Sequence, residues 1–181
     1  RGPITARVLR ESGGPNVESF GDPGIVLSRV IPLVRGTTNG RVAVVRHHTH
    51  RKAPIQLASH MDEIELLMSS KEDITELLTT LLKYDSVITS AMHIFISCQS
   101  YGVPCALVTF EGFEEKVHGN GIKYSDYALG AGLAAIDPVV VPLHLPSVNF
   151  DDITTNERVS GEKMDEVESA IRKSIAVALN R

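Results

Sequence analysis

Three polar tracts in this chain hold residue types suited to chemistry on an anion, and each directly follows a short apolar run. They are His47-His-Thr-His50, Thr89-Ser-Ala-Met-His93 and Thr109-Phe-Glu-Gly112. The second is the most informative. Ser86-Val-Ile-Thr89 reads as a strand that runs straight into a helix, with Ser90 as N-cap and His93 in the first turn. A helix start offers free N–H groups and the positive end of the macrodipole, both of which favour an anion. The Ser90 hydroxyl can donate a hydrogen bond there, and His93 can donate a proton or pair with a phosphate. The competing reading is structural: a cap followed by a histidine packed on its neighbours.

The histidine tract invites a metal reading, because His48 and His50 alternate onto one face if the backbone is extended. A closed zinc site takes about four ligands, and no cysteine or carboxylate lies close in sequence, so no metal is expected. The tract then reads as a contributor to a substrate site or as a polar surface loop. Cys98 and Cys105 sit in apolar surroundings and read as buried reduced thiols. There is no Walker A loop, no GxGxxG fingerprint and no GxSxG elbow, so the motifs support neither nucleotide binding nor Ser-His-Asp hydrolysis. No cofactor is expected.

The elements that must position these tracts follow from periodicity. Arg41-Val-Ala-Val-Val-Arg46 and Pro104-Cys-Ala-Leu-Val-Thr109 are apolar, β-branched runs of buried-strand length, as is 86–89. Glu63-Ile-Glu-Leu-Leu-Met68 reads as a further strand, in competition with a helix. Ser69 and Ser70 are N-cap candidates for a helix whose Ile74, Leu77, Leu78, Leu81 and Leu82 recur at helical spacing. Residues 91–101 fit a helix closed by Gly102, and 161–179 fit an amphipathic helix with Met164, Val167, Ile171, Ile175 and Ala178 as its stripe. Upstream, turn signals separate a short helix near 3–10, a short strand near 17–20 and an apolar segment near 25–34. The stretch 53–61 reads as a helix or an irregular crossover, 110–127 as a polar loop, and 131–150 as an apolar, Pro-rich segment.

Strands alternating with helices predict right-handed crossovers and a parallel sheet: a doubly wound, Rossmann-like α/β domain spanning the 181 residues. In such a sheet, ligands bind beyond the carboxyl ends of the strands, where the three polar tracts fall. Composition sets outer bounds. With 43% hydrophobic and 22% charged residues the chain is an ordinary globular mix. A net charge of −4 argues against a nucleic-acid binder, which needs a basic face. No apolar run approaches the roughly 20 residues of a membrane span and no secretory leader is read, so a cytoplasmic setting without a transmembrane segment is the expectation. Arg1-Gly-Pro-Ile-Thr-Ala-Arg-Val-Leu-Arg10 reads as a helix start inside a larger protein, which implies sequence upstream.

The order of Arg1-Gly-Pro-Ile-Thr-Ala-Arg-Val-Leu, Gly21-Asp-Pro-Gly, Val44-Val-Arg-His47, Val87-Ile-Thr-Ser-Ala-Met-His93, Tyr101-Gly-Val-Pro104 and Lys123-Tyr-Ser-Asp-Tyr127 resembles the polysaccharide pyruvyl transferase family over about residues 1–130. The resemblance is to the C-terminal, Rossmann-like half of a GT-B-like enzyme. It implies transfer of pyruvate from phosphoenolpyruvate to two hydroxyls of a carbohydrate acceptor, as a ketal, in exopolysaccharide or cell-surface glycan biosynthesis. It also implies that His93 contacts the donor or acts as the acid, that Arg1 binds the donor's anionic groups, and that His47, Ser90 and Met92 belong to the substrate site. An upstream half, or a second copy of the chain, would complete the cleft. Two positions depart from the family's pattern: Ala91 stands where an arginine is frequent, and Ile94 where a glycine usually follows the histidine. Two other readings share the fold: a glycosyltransferase using a nucleotide sugar, and a domain without catalysis.

Overall fold

The computed structural model describes residues 2–66, 68–114 and 121–179. Five strands form one all-parallel sheet: β1 (Val42–Val45), β2 (Met61–Glu63), β3 (Ser86–Thr89), β4 (Cys105–Phe110) and β5 (Val139–Val141), in the order β2-β1-β3-β4-β5. The helices are α1 (Pro3–Glu11), α2 (Leu27–Val30), α3 (Lys71–Leu81), α4 (Met92–Tyr101), α5 (Ile122–Ala131) and α6 (Gly161–Leu179). The Rossmann-like α/β expectation therefore holds for the sheet and its flanking helices. The strand order reverses direction between β1 and β3, which makes that junction the topological switch point.

Side chains of the central strands alternate between two cores, as a pleat requires. Ala43, Val45, Val87, Cys105 and Leu107 face α3 and α4, where they meet Leu77, Leu81, Ile94 and Phe95. Val44, Ile88, Ala106, Val108 and Phe110 face the other way, and there the cover is loop and short 3-10 turns, including Ala53, Leu145 and the partly buried Ile55, Phe150 and Ile153. Full burial of each Val or Ile contributes about 1.5–3 kcal/mol, so these short strands are held chiefly by what packs on their two faces. α4 is buried on nearly every side, from Ile94 through Gln99. Its outer surface meets Ile25, Val26, Tyr127 and Val167 in a third cluster. That all-round burial explains why its sequence lacks a polar stripe.

Local signals close the helices. The Ser70 hydroxyl accepts from the Asp73 N–H at 3.0 Å, while the Asp73 carboxylate accepts from the Ser70 N–H at 2.9 Å, a capping box at the start of α3. Further hydrogen bonds from the Ser69 N–H and hydroxyl help hold the Asp73 pKa down at about 2. Gly102 ends α4 in the left-handed conformation at φ 67°, as expected from its position.

The structure departs from the sequence expectations in four places. Residues 17–20 form no strand; the sheet's edges are β2 and β5, and Val17 stays exposed away from them. The second strand is Met61–Glu63 rather than 63–68, because β1 ends at Val45 and the Ile64 N–H makes the last bond across, to the Val44 carbonyl at 2.9 Å. Ile64 and Leu66 instead pack against the α3 side of the core. The loop expected over 110–127 contains the start of α5, whose Tyr124, Tyr127, Ala128 and Ala131 are buried at helical spacing beneath an otherwise polar sequence; residues 115–120 of that stretch lie outside the described residues. The Pro-rich stretch contributes β5, paired with β4 from Val108↔Val139 to Phe110↔Val141. Among the described residues, no helix is long and apolar enough to cross a membrane.

Candidate functional site

At the switch point the ends of β1 and β3 are stitched together by side chains. The Thr89 hydroxyl donates to the Val45 carbonyl at 2.8 Å and accepts from the Ala91 N–H at 3.0 Å. The Ser90 hydroxyl oxygen accepts from the His47 N–H at 2.9 Å. Both hydroxyls are buried, at about 1% exposure. This corrects the expected N-cap: Ala91 occupies that position, and Ser90 does not line the cleft. Its oxygen is spent on positioning the turn that carries His47.

A cleft of about 440 Å³ opens at these strand ends, within the ordinary range for a small-molecule site. His47 and His48 enter it from β1, Leu66 and Met68 from the segment after β2, and Ala91, Met92, His93 and Ile94 from the start of α4. Lys123 and Tyr127 enter from α5, and Asp22 from the turn before α2. Two expected substrate residues, His47 and Met92, and the expected acid, His93, thus share one cavity. Arg1 lies outside the described residues. The third polar tract, 109–112, does not line the cleft; Thr109 and Phe110 are core residues there.

The N-terminus of α4 supplies donors. Ile94 and Phe95 N–H groups bond the Ala91 carbonyl, but Met92 and His93 in the first turn have no helical carbonyl four residues back to receive theirs. The His93 side chain is exposed. Across the cleft, the His47 and His48 rings lie with centroids 4.2 Å apart. His47 Nδ1 accepts from the Thr49 N–H at 3.4 Å and lies 2.7 Å from the Thr49 hydroxyl. With Nδ1 accepting, the proton of the neutral ring belongs on Nε2, as a donor. Burial, reinforced by the positive charge of His48, Lys123, His50 and His93, lowers the His47 pKa to about 4. The ring is therefore neutral near pH 7 and can donate a hydrogen bond without acting as a strong acid.

His50 is drawn out of the site. It is fully buried, lies edge-on to Phe110 at 5.6 Å, and has its Nε2 at 3.2 Å from the Phe113 carbonyl. Among the described residues no group of three or more His, Cys, Asp or Glu side chains is arranged to hold a metal ion. Cys98 and Cys105 are buried free thiols, as their surroundings suggest.

A second network fixes the wall that carries Lys123 and Tyr127. Asp126, buried between them in sequence, accepts from the Gly2 N–H at 3.0 Å, the Ile4 N–H at 2.8 Å, the Thr5 N–H at 3.2 Å and the Thr5 hydroxyl at 2.5 Å. Pro3 has no N–H, so one carboxylate caps the open donors of α1 from a distant helix. Burial opposes its ionisation, yet the bonds from Thr5, Gly2 and Ile4 prevail and lower its pKa. Gly2 is needed for the approach: a Cβ there would fall 1.8 Å from the Asp126 carbonyl oxygen.

Lys123, Asp22 and Tyr127 received no role from the sequence, although each lies in a tract that carries the family resemblance. Their polar surroundings differ. Lys123 Nζ sits 4.8 Å from the Tyr124 ring centroid. The Tyr127 hydroxyl donates to Gln99 Oε1 at 2.6 Å, and the Asp22 carboxylate accepts from the Gly24 N–H at 2.8 Å. Among the described residues, Lys123 is the lysine of the cleft lining, which the α4 N-terminus also forms.

The fold and site together define a Rossmann-like α/β protein with a cleft at its switch point, lined by three imidazoles, a lysine and a helix N-terminus. No family model matches the chain, and neither a curated protein nor a solved structure matches it.

Proposed function

We propose that the cleft binds phosphoenolpyruvate and that the protein is a polysaccharide pyruvyl transferase, or the donor-side domain of one with a GT-B-like architecture. The observation that carries this reading is a convergence. Gly21-Asp-Pro, Val44-Val-Arg-His47, Val87-Ile-Thr-Ser-Ala-Met-His93 and Lys123-Tyr-Ser-Asp-Tyr127 are far apart in sequence, yet each contributes to one cleft lining. The Gly2-Pro-Ile-Thr5 tract is tied to the same wall through Asp126.

The chemistry required is addition of two sugar hydroxyls across C2 of the donor. The methylene carbon gains one proton to become a methyl group, and inorganic phosphate leaves with the other. His93, exposed at the mouth, is the acid candidate. The first-turn N–H groups of α4, Lys123 and the Nε2–H of neutral His47 are the candidates for the phosphate and carboxylate. Lys123 offsets the charge lost where Ala91 replaces the family's arginine, though as a point charge rather than a bidentate fork. The carbohydrate product would serve exopolysaccharide or cell-surface glycan synthesis in the cytoplasm.

Thermal shift with the intact protein separates the donors, since a ligand that binds the folded state raises Tm by an amount that grows with the logarithm of its concentration over Kd. Phosphoenolpyruvate is expected to raise Tm, and nucleotide sugars are not. Stabilisation by a nucleotide sugar alone would favour a glycosyltransferase, and no response to either donor would favour a non-catalytic domain.

A further inference from the structure

Asn39-Gly40 is an Asn-Gly pair in the exposed turn that leads into β1. It lies at the amino end of the parallel sheet, away from the cleft at the strands' carboxyl ends. Three hydrogen bonds fix its geometry. Asn39 Oδ1 accepts from the Arg41 N–H at 3.0 Å, the Gly40 N–H donates to Asp85 Oδ1 at 3.1 Å, and the Asn39 N–H donates to the Lys83 carbonyl at 2.9 Å. We infer that this turn is a self-modification site: the Gly40 nitrogen attacks the Asn39 side-chain amide, and the asparagine converts to aspartate and isoaspartate through a cyclic succinimide.

The groups around the turn match what that chemistry needs. An asparagine whose oxygen reaches the N–H two residues on is curled over the peptide between, so the Asn39 Cγ faces the Gly40 nitrogen. The Arg41 N–H polarises the Cγ–Oδ1 bond and stabilises the negative charge that gathers on Oδ1 as a tetrahedral centre forms. A peptide nitrogen is a poor nucleophile until its proton is removed. The Asp85 carboxylate already accepts the hydrogen bond from that N–H, which is the position of a general base. Asp85 is itself held in place: its N–H donates to the Arg41 carbonyl at 2.9 Å, and its carbonyl accepts from Arg35 Nη2 at 2.8 Å. Gly40 contributes twice. Its φ of 71° lies in the left-handed region, and, chain neighbours apart, nothing falls within 4 Å of where a Cβ would stand, so the approach to its nitrogen is open.

The step balances. The Gly40 N–H proton passes to the Asp85 carboxylate as the bond from nitrogen to Cγ forms. The Cγ–Nδ2 bond then breaks, and Nδ2 leaves as ammonia with that proton. Water opens the ring at either carbonyl. The aspartate product adds a negative charge beside Asp85. The isoaspartate product puts one more atom into the main chain shortly before Val42, whose pairing with Ser86 begins the β1–β3 ladder.

The test is peptide mapping by mass spectrometry of the intact protein aged in neutral buffer, with the aspartate and isoaspartate forms separated by chromatography. The free peptide 36–43 serves as the unstructured reference. Asn39 is expected to convert faster in the folded protein than in the peptide. Asp85→Asn is expected to slow conversion in the protein at least about tenfold, a modest share of what a positioned base contributes. A further measurement needs no variant. As pH is lowered below neutral, hydroxide-driven conversion in the peptide falls steeply, and conversion in the protein falls less because Asp85 supplies the base. Slower conversion in the folded protein than in the peptide, an unchanged rate in Asp85→Asn, or the same pH slope in protein and peptide would overturn the inference.

Discussion

The hydroxyl oxygen of Ser90, at the end of β3, accepts a hydrogen bond from the backbone N–H of His47, at the end of β1, at 2.9 Å. Beyond the ladder that pairs these two strands at the switch point, this contact ties down the turn from which His47 and His48 enter the cleft. Ser90→Ala leaves that N–H unpaired in a partly buried position. It is expected to cost about 1–3 kcal/mol of stability and to weaken phosphoenolpyruvate binding as well. Urea unfolding and calorimetry check the two effects; an Ala variant with unchanged stability and donor affinity would contradict the positioning role.

Asp126 caps α1 across more than 100 residues of sequence. Asp126→Asn replaces an acceptor of four donors with a group that carries its own N–H, at an expected cost of about 1.5–3 kcal/mol near pH 7. The sign with pH follows from the lowered folded pKa. The carboxylate's contribution is complete above its unfolded value, near about 4, and is lost as pH falls through the lower folded value. The stability gap between the Asp and Asn proteins should therefore narrow in acid. Gly2→Ala is expected to cost about 1–3 kcal/mol by overpacking, more than an exposed N-terminal site would. Urea titrations over a pH series measure all three.

The His47 ring should titrate near 4 in a ¹⁵N ring-NMR experiment. Because this folded value lies below the unfolded one, the folded state binds fewer protons in the window from about 4 to about 6.5, and His47 makes stability rise with pH through it. Inorganic phosphate in the cleft should raise the ring's pKa by supplying opposite charge. A ring that titrates normally without phosphate would contradict the buried geometry.

Much of the fold is legible in the sequence, for physical reasons that differ by element. β1, β3 and β4 are short β-branched runs covered on both faces, so their composition alone marks them. α3 declares itself through the Ser70–Asp73 capping box and its leucine spacing. β2 and α5 are harder. β2 is three residues long and its boundary is set by where β1 ends, which is a tertiary fact. α5 hides its buried tyrosines among Lys123, Ser125 and Asp126, and Asp126 is tolerated inside only because α1 supplies its partners. At the site, His47, Met92 and His93, which line one cleft, lie in tracts that strand-end position marks, while the assignment of His47 and Met92 to a substrate site comes from the family resemblance. Ser90 is assigned to the right junction but to a different task, because the choice between capping α4 and bonding His47 depends on how β1 and β3 align.

Lys123 gives a direct test of the donor wall. Lys123→Met is expected to weaken phosphoenolpyruvate about tenfold, equivalent to about 1.4 kcal/mol, while Lys123→Arg retains most of the affinity. Calorimetry measures both. Equal affinity in the Met variant would move the anion away from α5.

The most direct measurement is ³¹P NMR of phosphate release from phosphoenolpyruvate in the presence of glycoside acceptors, comparing the intact protein with His93→Ala. Because the His93 side chain is exposed, its removal should leave the unfolding midpoint almost unchanged. The account predicts acceptor-dependent phosphate release that falls at least about 100-fold in the variant, the scale of a lost general acid. Unchanged release by His93→Ala, or no release by the unmodified protein with any acceptor, would contradict it.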